Sequence, residues 1–132
     1  MATGLYVKGK ENLGKKNIDL IGDDLYVLLV DTSIYTVNLD TDEYFADIPE
    51  AATIKELELF SKNFVDSVFD ADDVIFQSLT SDKEVGGLVI YQDTGILSTS
   101  RLIFYTDVSS VTPDGTDLTV AWDNGPSRIF RL

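Results

Sequence analysis

The chain has 132 residues, a formal net charge of −13, and neither Cys nor His. Disulfides, thiolate or imidazole metal ligation and every Cys–His or Ser–His–Asp mechanism are therefore excluded within it. A body this acidic repels phosphate backbones and anionic bilayers, so neither nucleic acid nor a membrane is an expected partner.

The length suits a single domain over residues 1–132, and 44% hydrophobic with 25% charged residues is ordinary for a globular protein. No apolar run approaches the ~18 residues of a membrane span. The opening MATGLYVKGKENLGKK lacks the apolar stretch of a signal peptide, which points to a non-secreted protein.

In chain order, Thr3 to Lys16 reads as a helix, with Thr3 as cap and Leu5, Leu13 and Tyr6 or Val7 as its apolar stripe. Gly4, Gly9 and Gly14 count against it, at about 1 kcal/mol each relative to Ala. Residues 1–17 carry four Lys against Glu11, a net +3, which leaves −16 on the other 115 residues. A basic end of this kind suits an acidic neighbour, a second copy included.

Leu25–Val30 is a continuous apolar run of β-forming residues, suited to a strand buried on both faces and central in a sheet. Tyr35 and Val37 alternate with polar residues. Residues 41–48 read as a short helix capped by Asp40 or Thr41, with Tyr44, Phe45 and Ile48 inward and Pro49 ending it.

From Ala52 the pattern is β. Phe64-Val65 and Val68-Phe69 flank Asp66-Ser67, and Val74–Leu79 is strand-like. Leu88–Tyr91 and Leu102–Tyr105 form a strand pair joined by the loop Gln92–Arg101. Val111–Thr116 is a turn. Leu118, Val120 and Trp122 share one face of a strand, with Trp122 in the core. Asp123-Asn-Gly-Pro126 is a second turn, after which Arg128–Leu132 pairs back as a last strand. Leu132, closing that strand, implies packing or a neighbour contact rather than a loose tail. Six to eight short strands with one or two early helices predict a mainly β (α+β) domain, an antiparallel β-sandwich-like arrangement.

No constellation points to catalysis or a cofactor. Asp40–Glu43 and Asp70–Asp73 each place three carboxylates within four residues, the ligand type hard cations take, but neither fits the twelve-residue calcium loop. Turn and cap roles account for them, and no metal site is assigned. Gly86-Gly87 precedes an apolar strand, and no phosphate-binding glycine motif occurs.

Four stretches carry a resemblance: LYVLLVDTSIYTVNLDTDEYFADIPEAA, VFDADDVIF, LVIYQDTGILSTSRLIFYTD and VTPDGTDLTVAWDNGPSRIFRL. Together, in this order, they resemble a family of small virion structural proteins of tailed bacteriophages. Residues 77–85 depart from the pattern, being more charged than a Gly/Thr-rich connection. The resemblance implies a non-enzymatic particle component in the virion, with other virion proteins as partners, and no cofactor.

Three readings follow. The first is a decoration or cement protein on the outer surface of the head, bound to the major capsid protein. Its expected contacts are Lys8, Lys10, Lys15 and Lys16, with the C-terminal Arg128, Phe130, Arg131 and Leu132 as a second set. The second is a tail, neck or fibre-attachment adaptor built as a homo-oligomeric ring. The third is a calcium- or glycan-binding module.

Overall fold

The computed structural model describes residues 3–122 and 128–132. The strands are β1 (Gly4–Leu5), β2 (Leu25–Val30), β3 (Thr53–Glu58), β4 (Asn63–Val65), β5 (Val68–Asp70), β6 (Val74–Phe76), β7 (Val85–Gln92), β8 (Arg101–Val111), β9 (Leu118–Val120) and β10 (Phe130–Arg131). One α-helix, α1 (Val7–Gly14), follows β1. A five-stranded sheet runs β1-β8-β7-β2-β3, with a three-stranded sheet β10-β5-β4 and a pair β6-β9 beside it. Every pairing is antiparallel.

The large sheet is buried on both faces, as the unbroken apolar run of β2 predicts. Leu25, Val27 and Leu29 join Leu88, Ile90 and Phe104 in one cluster with Phe69, Val74, Phe76, Val120 and Phe130 of the smaller sheets. Leu28 and Val30 join Val89, Tyr91, Leu102 and Tyr105 on the other face, under Tyr6, Tyr35, Phe45, Ile48 and Ala52. The predicted mainly β, sandwich-like domain is thus present. The expected pair β7–β8 forms, and its register steps from Ile90↔Phe104 to Tyr91↔Leu102, leaving Ile103 as the extra residue of a bulge.

Several elements differ from expectation. The first helix begins at Val7, not near Thr3, because Gly4 and Leu5 pair with Tyr105 and Phe104 of β8 instead. That extended entry sends the Tyr6 side chain fully into the core. The helix buries Gly9 and Asn12 rather than an apolar stripe.

The helix expected over 41–48 is only a 3₁₀ turn, Phe45–Asp47. Asp40 and Thr41 do not cap it. Asp47 Oδ2 instead accepts from the Glu43 and Tyr44 amides at 2.9 Å each. Asp42 is drawn away by the Tyr35 hydroxyl and the Asn38 amide. Phe45 and Ile48 are buried as predicted, but Tyr44 is only half-buried.

The last strand pairs with β5, Phe130 opposite Phe69, and not with β9. The aromatic contact explains the choice: the Phe69 and Phe130 rings stack with centroids 5.0 Å apart. The predicted turn over 123–126 lies outside the described residues.

Candidate interaction surface

The basic end of the chain is held against the sheet by backbone contacts. The Tyr6 amide donates to Ile103 O, the bulge residue, at 3.0 Å, and the Val7 amide to Leu39 O at 2.8 Å. Gly9 then sits directly on β8. A Cβ there would lie 2.6 Å from Leu102 O and 3.1 Å from Ile103 Cα. Asn12, buried, donates to Glu43 Oε2 and accepts from Asn17 Nδ2. The lysines of α1 and its end are left outside.

They divide by partner. Lys8 Nζ and Lys15 Nζ both reach Glu11, at 3.2 and 3.9 Å. Both pairs lie on the solvent-facing side of the helix, where such pairs contribute roughly 0.3–0.5 kcal/mol. Lys10 and Lys16 are exposed and make no ion pair among the described residues. Lys16 follows the helix end with φ 65°.

The C-terminal segment meets this helix. Leu5, Lys10, Leu13, Gly14, Arg131 and Leu132 line one groove of about 530 Å³. Leu5 and Leu13 are half-buried floor, and Leu132 is 49% exposed on its rim. The groove combines an apolar floor with the cationic side chains of Lys10 and Arg131. The Leu132 amide is fixed by Ser67 O at 2.8 Å, which ties the groove to the β4–β5 hairpin.

Of the eight contacts expected from sequence, Lys10, Arg131 and Leu132 therefore share one surface. Lys8 and Lys15 are committed to Glu11, and Lys16 stands exposed at the helix end. Arg128 lines a different cleft, between the large sheet and β9. Phe130 is a correction: it is 4% exposed and packed on Phe69 and Phe104, so it anchors β10 and presents nothing to a partner. By pattern alone Leu5 and Leu13 belong to the apolar stripe of a helix. Their role as groove floor depends on the β1–α1 break.

A second apolar surface flanks β3. Leu57, Glu58, Phe60, Asp72, Asp73, Val74 and Ile75 line it. Phe60 is 63% and Ile75 50% exposed. The adjoining cleft shares Leu57 and Ile75. Val74-Ile75-Phe76 contained the signal for this surface. A three-residue strand with two side chains buried must turn its middle one outward.

The clustered carboxylates have local work. Asp70 Oδ1 accepts from the Ala71 amide, and Asp73 Oδ1 from the Trp122 amide at 2.9 Å. The Trp122 indole donates to Asp72 O at 3.0 Å, with the ring half-buried against the core rather than within it. Among the described residues no three acidic side chains converge as a metal site, and no helix is long and apolar enough to cross a membrane. No family profile matches the chain, and a search of curated proteins finds no match to it.

Proposed function

We propose that this protein is a structural component of a tailed-phage virion, attached to the outer surface of the head as a decoration or cement protein. The observation that carries the reading is the groove between α1 and β10. There the cationic end of a strongly acidic chain presents an apolar floor, a composition suited to holding another protein. The four-stretch resemblance supports the virion context. Many copies bound weakly where capsid subunits meet add their contacts through effective concentration.

The test is binding of the purified protein to expanded empty heads, with copy number counted against the major capsid protein. Hundreds of copies in simple ratio to the capsid subunit, reduced by Lys10→Glu, are expected. A dozen or fewer copies per particle would move the protein to the tail or neck. Absence of binding to heads would overturn the decoration role.

A further inference from the structure

The two apolar surfaces of this chain are opposite in charge and lie at opposite edges of one sheet. The groove at α1 contains Leu5 of β1, and the second surface contains Leu57 and Glu58 of β3. These strands are the two ends of the order β1-β8-β7-β2-β3. At a strand spacing of ~4.8 Å they stand about 19 Å apart across the sheet. The first surface is rimmed by Lys10 and Arg131, with Lys16 exposed at the helix end. The second is rimmed by Glu58, Asp72 and Asp73 around the exposed Phe60 and Ile75.

We infer that the Leu5–Leu13–Leu132 groove of one copy receives the Phe60–Ile75 edge of the next, joining copies head to tail. The inference rests on the reading of the groove as an attachment surface and names its occupant as a second copy. Charge complementarity argues for it. Lys10 and Lys16 have no internal ion pair among the described residues, and most of the carboxylates that outnumber them lie elsewhere on the same chain. Apolar matching argues for it as well. Phe60 and Ile75 are large, exposed and adjacent, whereas the groove has an apolar floor with Gly14 at its wall. A Cβ at Gly14 would meet nothing within 4 Å, so the wall is open.

Because the two surfaces differ and lie on opposite edge strands, the contact is heterologous. It leaves one groove and one edge unused in every pair, and so propagates into a ring or an open string rather than stopping at two copies.

Charge reversal tests this in solution, without capsids. Sedimentation of the intact protein is expected to show assembly beyond a dimer that grows with concentration and weakens as salt shortens the screening length. Lys10→Glu and Asp72→Lys are each expected to weaken association about tenfold or more, with circular dichroism unchanged, because both positions are exposed. Asp72 is preferred to Asp73 because the Asp73 carboxylate holds the Trp122 amide. Each variant alone brings like charges together at positions 10 and 72 of the contact. An equimolar mixture of the two restores opposite charges at those positions when the variants alternate, and is expected to recover assembly.

A monomer at every concentration, an assembly that stops at a dimer, or no rescue on mixing overturns the inference. If self-assembly is absent while head binding is lost in Lys10→Glu, the groove serves the capsid and the functional reading survives. If self-assembly follows these rules and heads bind nothing, the functional reading fails and this one stands.

Discussion

The Tyr6 hydroxyl lies 2.8 Å from the Tyr35 hydroxyl, beneath the large sheet, and Tyr35 in turn donates to Asp42 Oδ2 at 2.8 Å. With the Tyr35 proton committed to Asp42, Tyr6 is the donor to Tyr35. The two rings are 0% and 3% exposed, so neither hydroxyl has water as a substitute partner. The chain is directional, and the two deletions are not equivalent. Tyr35→Phe removes both bonds and leaves the Tyr6 hydroxyl buried without a partner, at a cost of about 1–3 kcal/mol. Tyr6→Phe removes one donor and leaves the Tyr35–Asp42 bond intact, at about 1 kcal/mol. Urea unfolding of the two variants checks the order. Equal losses, or a larger loss for Tyr6→Phe, would contradict the assigned direction.

The same burial gives the protein an alkaline limit. Burial pushes the phenols of Tyr6, Tyr35, Tyr91 and Tyr105 well above the ordinary tyrosine value near 10. Neighbouring anions add to it, Asp107 beside Tyr105 and Glu56 near Tyr91. A phenol whose folded pKa is raised binds its proton more tightly in the native state. Its stabilising contribution is complete below pH 10 and declines above it, as the unfolded chain releases protons the fold retains. Phenolate absorbance from these residues is therefore expected to rise together with the loss of near-ultraviolet circular dichroism, in one transition above pH 10. Ionisation of these tyrosines near pH 10 with the sheet signal intact would contradict the burial argument.

Gly9 and Gly14, both in α1, predict opposite responses to alanine. At Gly9 the new Cβ meets the Leu102 carbonyl at 2.6 Å, and backbone in the middle of a sheet does not yield. Gly9→Ala is expected to lift the helix from β8 and cost about 1–3 kcal/mol, as overpacking does. At Gly14 nothing lies within 4 Å, and Ala gains up to about 1 kcal/mol of helix propensity. Thermal denaturation distinguishes them by sign.

Those glycines also mark what the sequence conveys. Read by propensity alone, each counts against a helix, and the apolar stripe goes to Leu5 and Leu13. The close approach of α1 to β8 is a tertiary fact that makes Gly9 a requirement, and no local pattern contains it. Where side-chain burial alone decides structure, the reading is direct: Leu25–Val30 as a two-sided strand and Leu88–Tyr91 against Leu102–Tyr105 both follow from apolar runs. Where a side chain chooses between partners, it is not. Asp40 and Thr41 look like the cap of a helix until Asp47 takes the Glu43 and Tyr44 amides. Phe130 looks like a strand-end contact until Phe69 stacks on it. The groove was legible in part, through its charge. Its apolar floor needed the β1–α1 break, and its acidic counterpart needed the outward turn of Ile75.

The hairpin that supports the groove carries correctable strain. Asp66 and Ser67 form the two-residue connection between β4 and β5 with φ of 54° and 65°, the left-handed pair of a type I′ turn. Glycine is the favoured second residue of that turn, and a serine there bears the Cβ penalty of the left-handed region. Ser67→Gly relieves it and is expected to stabilise the protein by roughly 0.5–1 kcal/mol, a rise in Tm of about 2–5 °C for a domain of this size. The Ser67 carbonyl that holds the Leu132 amide is retained in the variant, so the groove keeps its rim. Association of the Ser67→Gly protein is accordingly expected to match that of the parent while its Tm rises. Ser67→Val is expected to shift Tm the other way, because a β-branched side chain is a poor fit to φ near 65°. A drop in Tm for the glycine variant would show that the Ser67 side chain, and not only its carbonyl, holds the hairpin in place.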